Sequence, residues 1–263
     1  GDNKLNLKNK ILYFLINSRK LININKTKIK SSSYKVNNFD NLLLNNNPSP
    51  SRYLQNYYIK NEIKNFNKKI INVLDVGCGN SEVCKLLELS GLNGNYTGLD
   101  IKNYYDNNLG KNNFNKKFIQ ADIIKKNFDE EFDLIISNSV MEHIKNDKFV
   151  FNKLQKNLNL DGFQIHLVPS RFSLFLYLFH GWRQYSLLEV EQKLGDKVEV
   201  IFLGGVFTFL LHLGFITLPN LIFKIDLRKK FSNLYSFLLQ KNIFLDRYLP
   251  FLFTTIIIKQ YAK

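Results

Sequence analysis

With 263 residues, 45% of them hydrophobic and 14% aromatic, the chain can bury one full α/β core, which excludes an intrinsically disordered polypeptide. Its two cysteines, Cys78 and Cys84, are too few for a disulfide framework or a cysteine-based zinc site, and they suit packed thiols in a reducing compartment. The 37 Lys and Arg against 22 Asp and Glu give a net charge of +15, but the excess is Lys scattered among Asn, with no compact patch of Arg and aromatics to argue for a nucleic-acid partner.

Residues 4 to 30 mix Lys and Asn with Ile, Leu and Phe, and Ile11, Leu12, Leu15 and Ile16 share one stripe of a basic helix. Such a helix fits a membrane surface, a protein partner, or a cap packed on the rest of the chain. It lacks a small-residue cleavage site, so a secretory signal is not expected. The run Asn45 to Pro50 reads as a linker, dividing a basic N-terminal extension (residues 1–47) from one domain (48–263). Ser51 is placed to cap a helix through about Asn65. Arg52 and Tyr57 on that helix are pocket candidates, with surface or packing roles as the alternative.

Val73 to Val76 predict a buried strand that runs into the turn Gly77-Cys78-Gly79, where the absent Cβ atoms let a ligand lie against the backbone. A dinucleotide fingerprint would carry a third glycine where this chain has Glu82. With Asp75 at the strand mouth, that acid repels a pyrophosphate and favours a cationic ligand without phosphate. Tyr96 to Asp100 reads as a second strand ending in an acid about 20 residues past the turn, where a carboxylate accepts ribose hydroxyls. Phe118 to Ile123 is a third strand and turn. Phe132 to Asn138 is a fourth strand, continuously apolar as for a strand covered on both faces; Asp133 opens it at the far end from the ligand and is assigned to structure. The segment Ser139 to Ile144 follows, and Phe163 to Pro169 is the fifth strand after the turn Leu160-Asp161-Gly162.

From about residue 170 to 200 the chain is rich in aromatics and reads as a lid, with Arg171, His180 and Tyr185 as polar anchors of a substrate pocket; a helix that only covers the sheet is the alternative. Residues 200 to 223 contain no Asp, Glu, Lys or Arg and pass a length test for a membrane span. Gly204-Gly205, Gly214 and Pro219 favour instead a helix that stops at Gly214 and an edge strand from Phe215. Phe251 to Lys259 is the closing strand.

The ordered set Asp75 to Asn80, Asp100, Asp122 and Asn138 to His143, spread over residues 70 to 170, resembles the class I S-adenosylmethionine-dependent methyltransferases. The resemblance implies a Rossmann-like, doubly wound α/β fold: a seven-stranded mixed sheet of order 3-2-1-4-5-7-6 with the last strand antiparallel, carrying a helical N-terminal extension. It implies S-adenosylmethionine as cofactor, held by Asp75, Gly77, Cys78, Gly79, Asp100, Ile101, Asn138 and Ser139, with Asp122 and Ile123 at the adenine.

The expected reaction is methyl transfer to a small-molecule acceptor, at oxygen, in the cytoplasm. His143 is the candidate base with Glu142 beside it, and the alternative is that this pair only holds the loop. Ubiquinone-pathway O-methyltransferases and some RNA-end methyltransferases bind a divalent cation through Glu-x-x-Glu-His at this place. Here Ser139 replaces the first carboxylate, so no metal is expected. Amino-methyltransferases of nucleic acids carry an Asn/Asp-Pro-Pro-aromatic motif that Asn138 to Met141 lacks, so a nucleic-acid substrate is not expected. Two alternatives remain: a lipid-linked or membrane-held acceptor, such as a quinone precursor or lipid-linked glycan, with the basic N-terminal helix in peripheral membrane contact; and a protein that binds S-adenosylmethionine without turnover. No motif addresses the oligomeric state.

Overall fold

Strand residues here alternate between two apolar layers, and that alternation sets the architecture. The computed structural model describes residues 6–22, 27–63, 70–103, 113–177 and 180–262. In chain order these form α1 (Leu7–Ile22), β1 (Lys30–Ser33), α2 (Pro50–Glu62), β2 (Ile70–Val76), α3 (Glu82–Leu89), β3 (Asn93–Asp100), β4 (Phe114–Gln120) and β5 (Phe132–Asn138). They continue with α4 (Asp147–Gln155), β6 (Leu158–Pro169), α5 (Leu187–Leu194), β7 (Glu199–Leu203), α6 (Val206–His212), α7 (Leu218–Phe223), α8 (Leu227–Lys230), α9 (Ser232–Leu245) and β8 (Thr255–Tyr261). Val73, Leu134 and Ile257 point to one side of the sheet, where Tyr53 and Ile59 of α2, Leu87 of α3 and Leu239 of α9 cover them. Their neighbours Leu74, Ile135 and Ile256 point to the other, against Val150 and Leu154 of α4 and Val190 of α5. Each such buried aliphatic contributes about 1.5–3 kcal/mol.

The sheet has eight strands in the order β1-β7-β8-β6-β5-β2-β3-β4. β8 runs antiparallel between β6 and β7, and the other pairings are parallel. From β4 to β7 this is the expected order with the antiparallel last strand. The eighth strand is a correction. Lys30 to Ser33 pairs with Glu199 to Phe202 through its backbone while all four of its residues stay exposed. A Lys-Ser-Ser-Ser edge strand has no apolar alternation to betray it.

A second correction concerns residues 200 to 223. The strand next to β8 is Glu199–Leu203, ended by Gly204 at φ 89°, and no strand starts at Phe215. From Val206 the chain stays helical to Phe223, through a π-helical segment Leu213–Thr217. Gly214 fails as a stop because an isolated helical glycine only weakens the helix by about 1 kcal/mol. Pro219 falls in the first turn of α7, where its missing N–H interrupts least.

The N-cap of α2 is Ser49, not Ser51: the Ser49 side chain accepts from the Arg52 N–H, and Pro50 takes the first helical position. Ser51 is instead buried with its hydroxyl on Thr254 Oγ1. The helix end expected at Asn65 lies outside the described residues. Asp133 is structural as read, accepting from the Asn72 N–H and from Asn159 Nδ2, both at 2.8 Å.

Candidate active site

β2 delivers Asp75 and the glycine turn to the carboxyl edge of the sheet. Gly77 and Gly79 have φ of +73° and +46°, and a Cβ on Gly77 would lie 2.3 Å from Val140 Cγ2, so the turn packs directly on the segment after β5. The Gly77 and Cys78 N–H groups donate to the Leu99 carbonyl at 2.7 and 3.1 Å. The Gly79 N–H donates to Asp100 Oδ2 at 3.0 Å, tying the turn to the acid that ends β3. Next to these contacts is a cavity of about 300 Å³ lined by Cys78, Gly79, Gly98, Asp100, Phe118 and Ile119. A Cβ on Gly98 would lie 2.9 Å from Cys78 Sγ and from Phe118, so a larger residue there would have to displace those side chains.

Asp75 is fully buried and holds one hydrogen bond, from the Tyr96 hydroxyl to Oδ2 at 2.5 Å. Among the described residues its Oδ1 has no hydrogen-bond partner, nor has the buried Oδ1 of Asn56, whose amide holds Glu82 at the start of α3. Burial pushes the Asp75 carboxyl up to about 7, against the opposing pull of the Tyr96 hydrogen bond. Buried acceptors without donors beside a glycine turn fit a cationic, phosphate-free cofactor, and S-adenosylmethionine is such a group. Asp75, Gly79 and Asp100 would hold it. Burial also pushes the Cys78 thiol up to about 12, so this residue lines the wall as a neutral group.

Among the expected cofactor residues, Cys78, Gly79 and Asp100 line the cavity beside the glycine turn and Asp75, Gly77 and Asn138 do not; Ile101, Asp122 and Ile123 do not either. Asp122 is exposed in the turn after β4, its Oδ1 accepting from the Ile124 N–H at 2.9 Å. Ile123 is buried in the core against α4. Ile101 is exposed, its carbonyl accepting from Gln120 Nε2. None of them lines the cavity; Phe118 and Ile119, one turn earlier on β4, do.

Asn138 ends β5 and Ser139 follows it at φ 59°, its N–H on the Leu167 carbonyl. Ser139 lines a second cavity of about 160 Å³, together with Arg52, Gln55, Glu142, Tyr177 and His180. Glu142 is 1% exposed, its Oε1 4.0 Å from His143 Nε2, and the His143 and His180 rings meet edge to face with centroids 4.7 Å apart. The lid is folded onto this pair by Gly181, at φ +70°, where a Cβ would lie 2.8 Å from the Glu142 carbonyl; the Trp182 N–H donates to that carbonyl at 2.7 Å. α1 closes the outside, its Tyr13 hydroxyl donating to the His180 carbonyl at 3.3 Å.

Two of the three lid anchors are not pocket residues. Tyr185 is fully buried and donates to Asp147 Oδ2 at 2.7 Å, and Arg171 reaches the Lys20 carbonyl on α1 at 3.0 Å. Both fasten the lid to the body; His180 alone faces the cavity. Residues 178–179 of the lid lie outside the described residues. Sequence reasoning named Arg52 but missed Gln55, Tyr177, Thr254 and Thr255. The signal for Gln55 was present: Arg52, Gln55 and Asn56 form one polar stripe at helical spacing on a helix otherwise lined with tyrosines. Tyr57 lies in the core, its hydroxyl accepting from the Asn38 N–H.

Glu142, His143 and His180 each bring one ligand atom within 4.8 Å of the others. Two imidazoles and a carboxylate form a donor set of the kind that holds zinc or an iron-group ion. The expectation of no metal rested on residues 139 to 143 alone, and His180 is the donor that stretch could not reveal.

Residues 67–171 of the chain match the family model described as a methyltransferase domain, and the strand order from β4 to β7 is the one expected of a class I methyltransferase fold. Among curated proteins it is similar to malonyl-[acyl-carrier protein] O-methyltransferase 2 of Ilyobacter polytropus, 33% identical over 149 residues, which cover 51% of this chain and 57% of the relative. The chain thus spans a little over half the length of that curated relative. Among solved structures it is similar in fold to the plantazolicin methyltransferase BpumL in complex with S-adenosylhomocysteine (16% identity, 84% of this chain and 88% of that one, TM-score 0.50). It is likewise similar to a putative sarcosine dimethylglycine methyltransferase from Galdieria sulphuraria (14% identity, 80% and 85%, TM-score 0.51).

Proposed function

We propose that this protein transfers a methyl group from S-adenosylmethionine to an oxygen of a small-molecule acceptor seated in the cavity between α2, the Ser139–Glu142 segment and His180. The observation that supports this reading is the direct packing of the glycine turn on Val140, the residue next to Ser139, which lines the second cavity. The bound cofactor supplies an electrophilic methyl on a sulfonium. The protein's part is alignment, which can be worth roughly 7–11 kcal/mol, and removal of the acceptor proton. His180 lines the cavity and the His143 ring meets it edge to face, so these are the candidate bases, with Glu142 beside them to stabilise the imidazolium. Arg52 gives the cavity a cationic wall that suits an acceptor bearing a carboxylate. The name of the Ilyobacter relative supports oxygen as the accepting atom.

Incubation of the protein with labelled S-adenosylmethionine and pooled metabolites, followed by mass identification of the product, tests the reaction. A methylated oxygen is the expected result; cofactor binding without labelled product from any pool would leave a binding protein. Calorimetry with Asp100→Ala tests the seat. Loss of hydrogen bonds to a charged group predicts affinity about 10- to 100-fold weaker, and unchanged affinity would sink the assignment.

A further inference from the structure

Val206–Phe223 is long and apolar enough to cross a membrane by length and composition, yet it is fixed to the protein along one side. Phe209, Leu211 and His212 are buried, the His212 ring meets Tyr177 edge to face at 5.1 Å, and the Thr217 hydroxyl donates to the Leu176 carbonyl. A helix held this way cannot be surrounded by lipid. Even so, only 28% of the stretch is buried, and Leu221, Ile222 and Phe223 stand 65%, 63% and 67% exposed at its end. Ile225 next to it and Phe231, Leu234 and Phe237 on and before α9 extend the exposed apolar surface. Apolar patches of this extent on a soluble surface mark an interface.

The charge around the patch says what covers it. Between residues 206 and 245 the sole acid is Asp226, paired with Arg228 at 2.9 Å, while Lys224, Lys229, Lys230 and Lys241 are exposed. Lys230 and Lys241 lie 5.7 and 5.5 Å from the ring centroids of Phe231 and Phe237, so ammonium groups sit beside exposed rings. Apolar side chains rimmed by lysine suit an interface whose interior is hydrocarbon and whose surface is anionic. A second copy of the chain would present the same lysines and meet repulsion. We propose that Val206–Phe223, with α9, docks in the plane of an anionic lipid bilayer. Tyr177, which lines the acceptor cavity, packs on His212 at the buried side of this helix.

Flotation of the full chain with vesicles of phosphatidylcholine, with and without phosphatidylglycerol, tests the docking. Wild type is expected to float with the anionic vesicles and to do so less in about 1 M salt, where screening shortens to about 3 Å. The double variant Ile222→Asp/Phe223→Asp is expected to lower the bound fraction at least tenfold, with unchanged melting temperature and cofactor affinity. Ile11→Asp/Leu15→Asp on α1 is expected to retain flotation. Three outcomes overturn the proposal: wild type that does not float, equal flotation of the 222/223 variant, or a lipid-free dimer that this variant turns into a monomer, which would assign the surface to a second copy. Cofactor calorimetry in each arm separates failure of docking from failure of the cofactor reading.

Discussion

A carboxylate removed from water and left with one hydroxyl donor favours its protonated form, and this is the situation of Asp75, whose titration moves up to about 7. A carboxyl raised in the folded state stabilises the fold most below its unfolded value near 4, and that contribution is lost as pH climbs through about 7. The shift corresponds to on the order of 4 kcal/mol. His166 acts in the opposite sense: buried between Ser137 and Gln164, it is pushed down to about 3, so its contribution is lost as pH falls below about 6.5. Since the two offset each other, the reading must come from Asp75→Asn. Without ligand, this variant is expected to gain in melting temperature over wild type at pH 8 and to gain little at pH 4. With ligand, wild-type affinity for the cationic cofactor is expected to fall as pH drops below about 7, whereas the variant binds weakly with a flat profile. Proton removal by His143 or His180 calls on no metal, so methyl transfer is expected to persist in EDTA. Activity lost in EDTA and restored by zinc or manganese would reassign Glu142, His143 and His180 as a cation site.

Among the elements, the helix at 206–223 shows where local rules mislead. A glycine next to Phe and a proline five residues later look like a helix stop and an edge strand, and the sequence offers nothing to contradict them. In the structure a Cβ on Gly214 would meet nothing within 4 Å, and the residue lies inside a helix. Gly214→Ala is therefore expected to stabilise the protein by about 0.5–1 kcal/mol, read as a raised midpoint in denaturant. A drop in stability would restore the reading of Gly214 as a stop. β1 is the converse case, a polar segment without strand character that is held because β7 offers an open edge for its backbone.

In the molecule as a whole, one buried charge ties three side chains of the lid and α5 to the body. Asp147 on α4 accepts from the Tyr185 hydroxyl at 2.7 Å and pairs with Arg183 at 2.6 Å and Lys193 at 2.5 Å, joining the lid and α5 to the body. Despite its burial, these partners hold its carboxyl below the usual range. Removing one member of such a network leaves cations without their counter-charge, so Asp147→Asn is expected to lower stability by about 3–5 kcal/mol, measured by denaturant unfolding. α1 is bound into the same assembly: Lys20 pairs with Glu189 at 2.6 Å and Gln184 donates to the Tyr13 hydroxyl at 2.8 Å. Although its sequence sets it apart, α1 is fastened to the lid that closes the acceptor cavity.

What could be read without the structure was governed by short range. The glycine turn needs positive φ, a strand covered on both faces needs a continuous apolar run, and Asp75 is two residues from the turn that follows it, so the turn at Gly77 and Gly79 and the strands beside it were legible from neighbouring residues. The acceptor cavity was not, because its walls come from α2, the lid and the start of β8. Gln55 meets Thr255 across 200 positions and Ser51 meets Thr254 across 203. No periodicity spans such distances. Whether a polar side chain near the lid faces a cavity, as His180 does, or fastens the fold, as Tyr185 does, depends on how distant elements pack, and only the tertiary structure decides it.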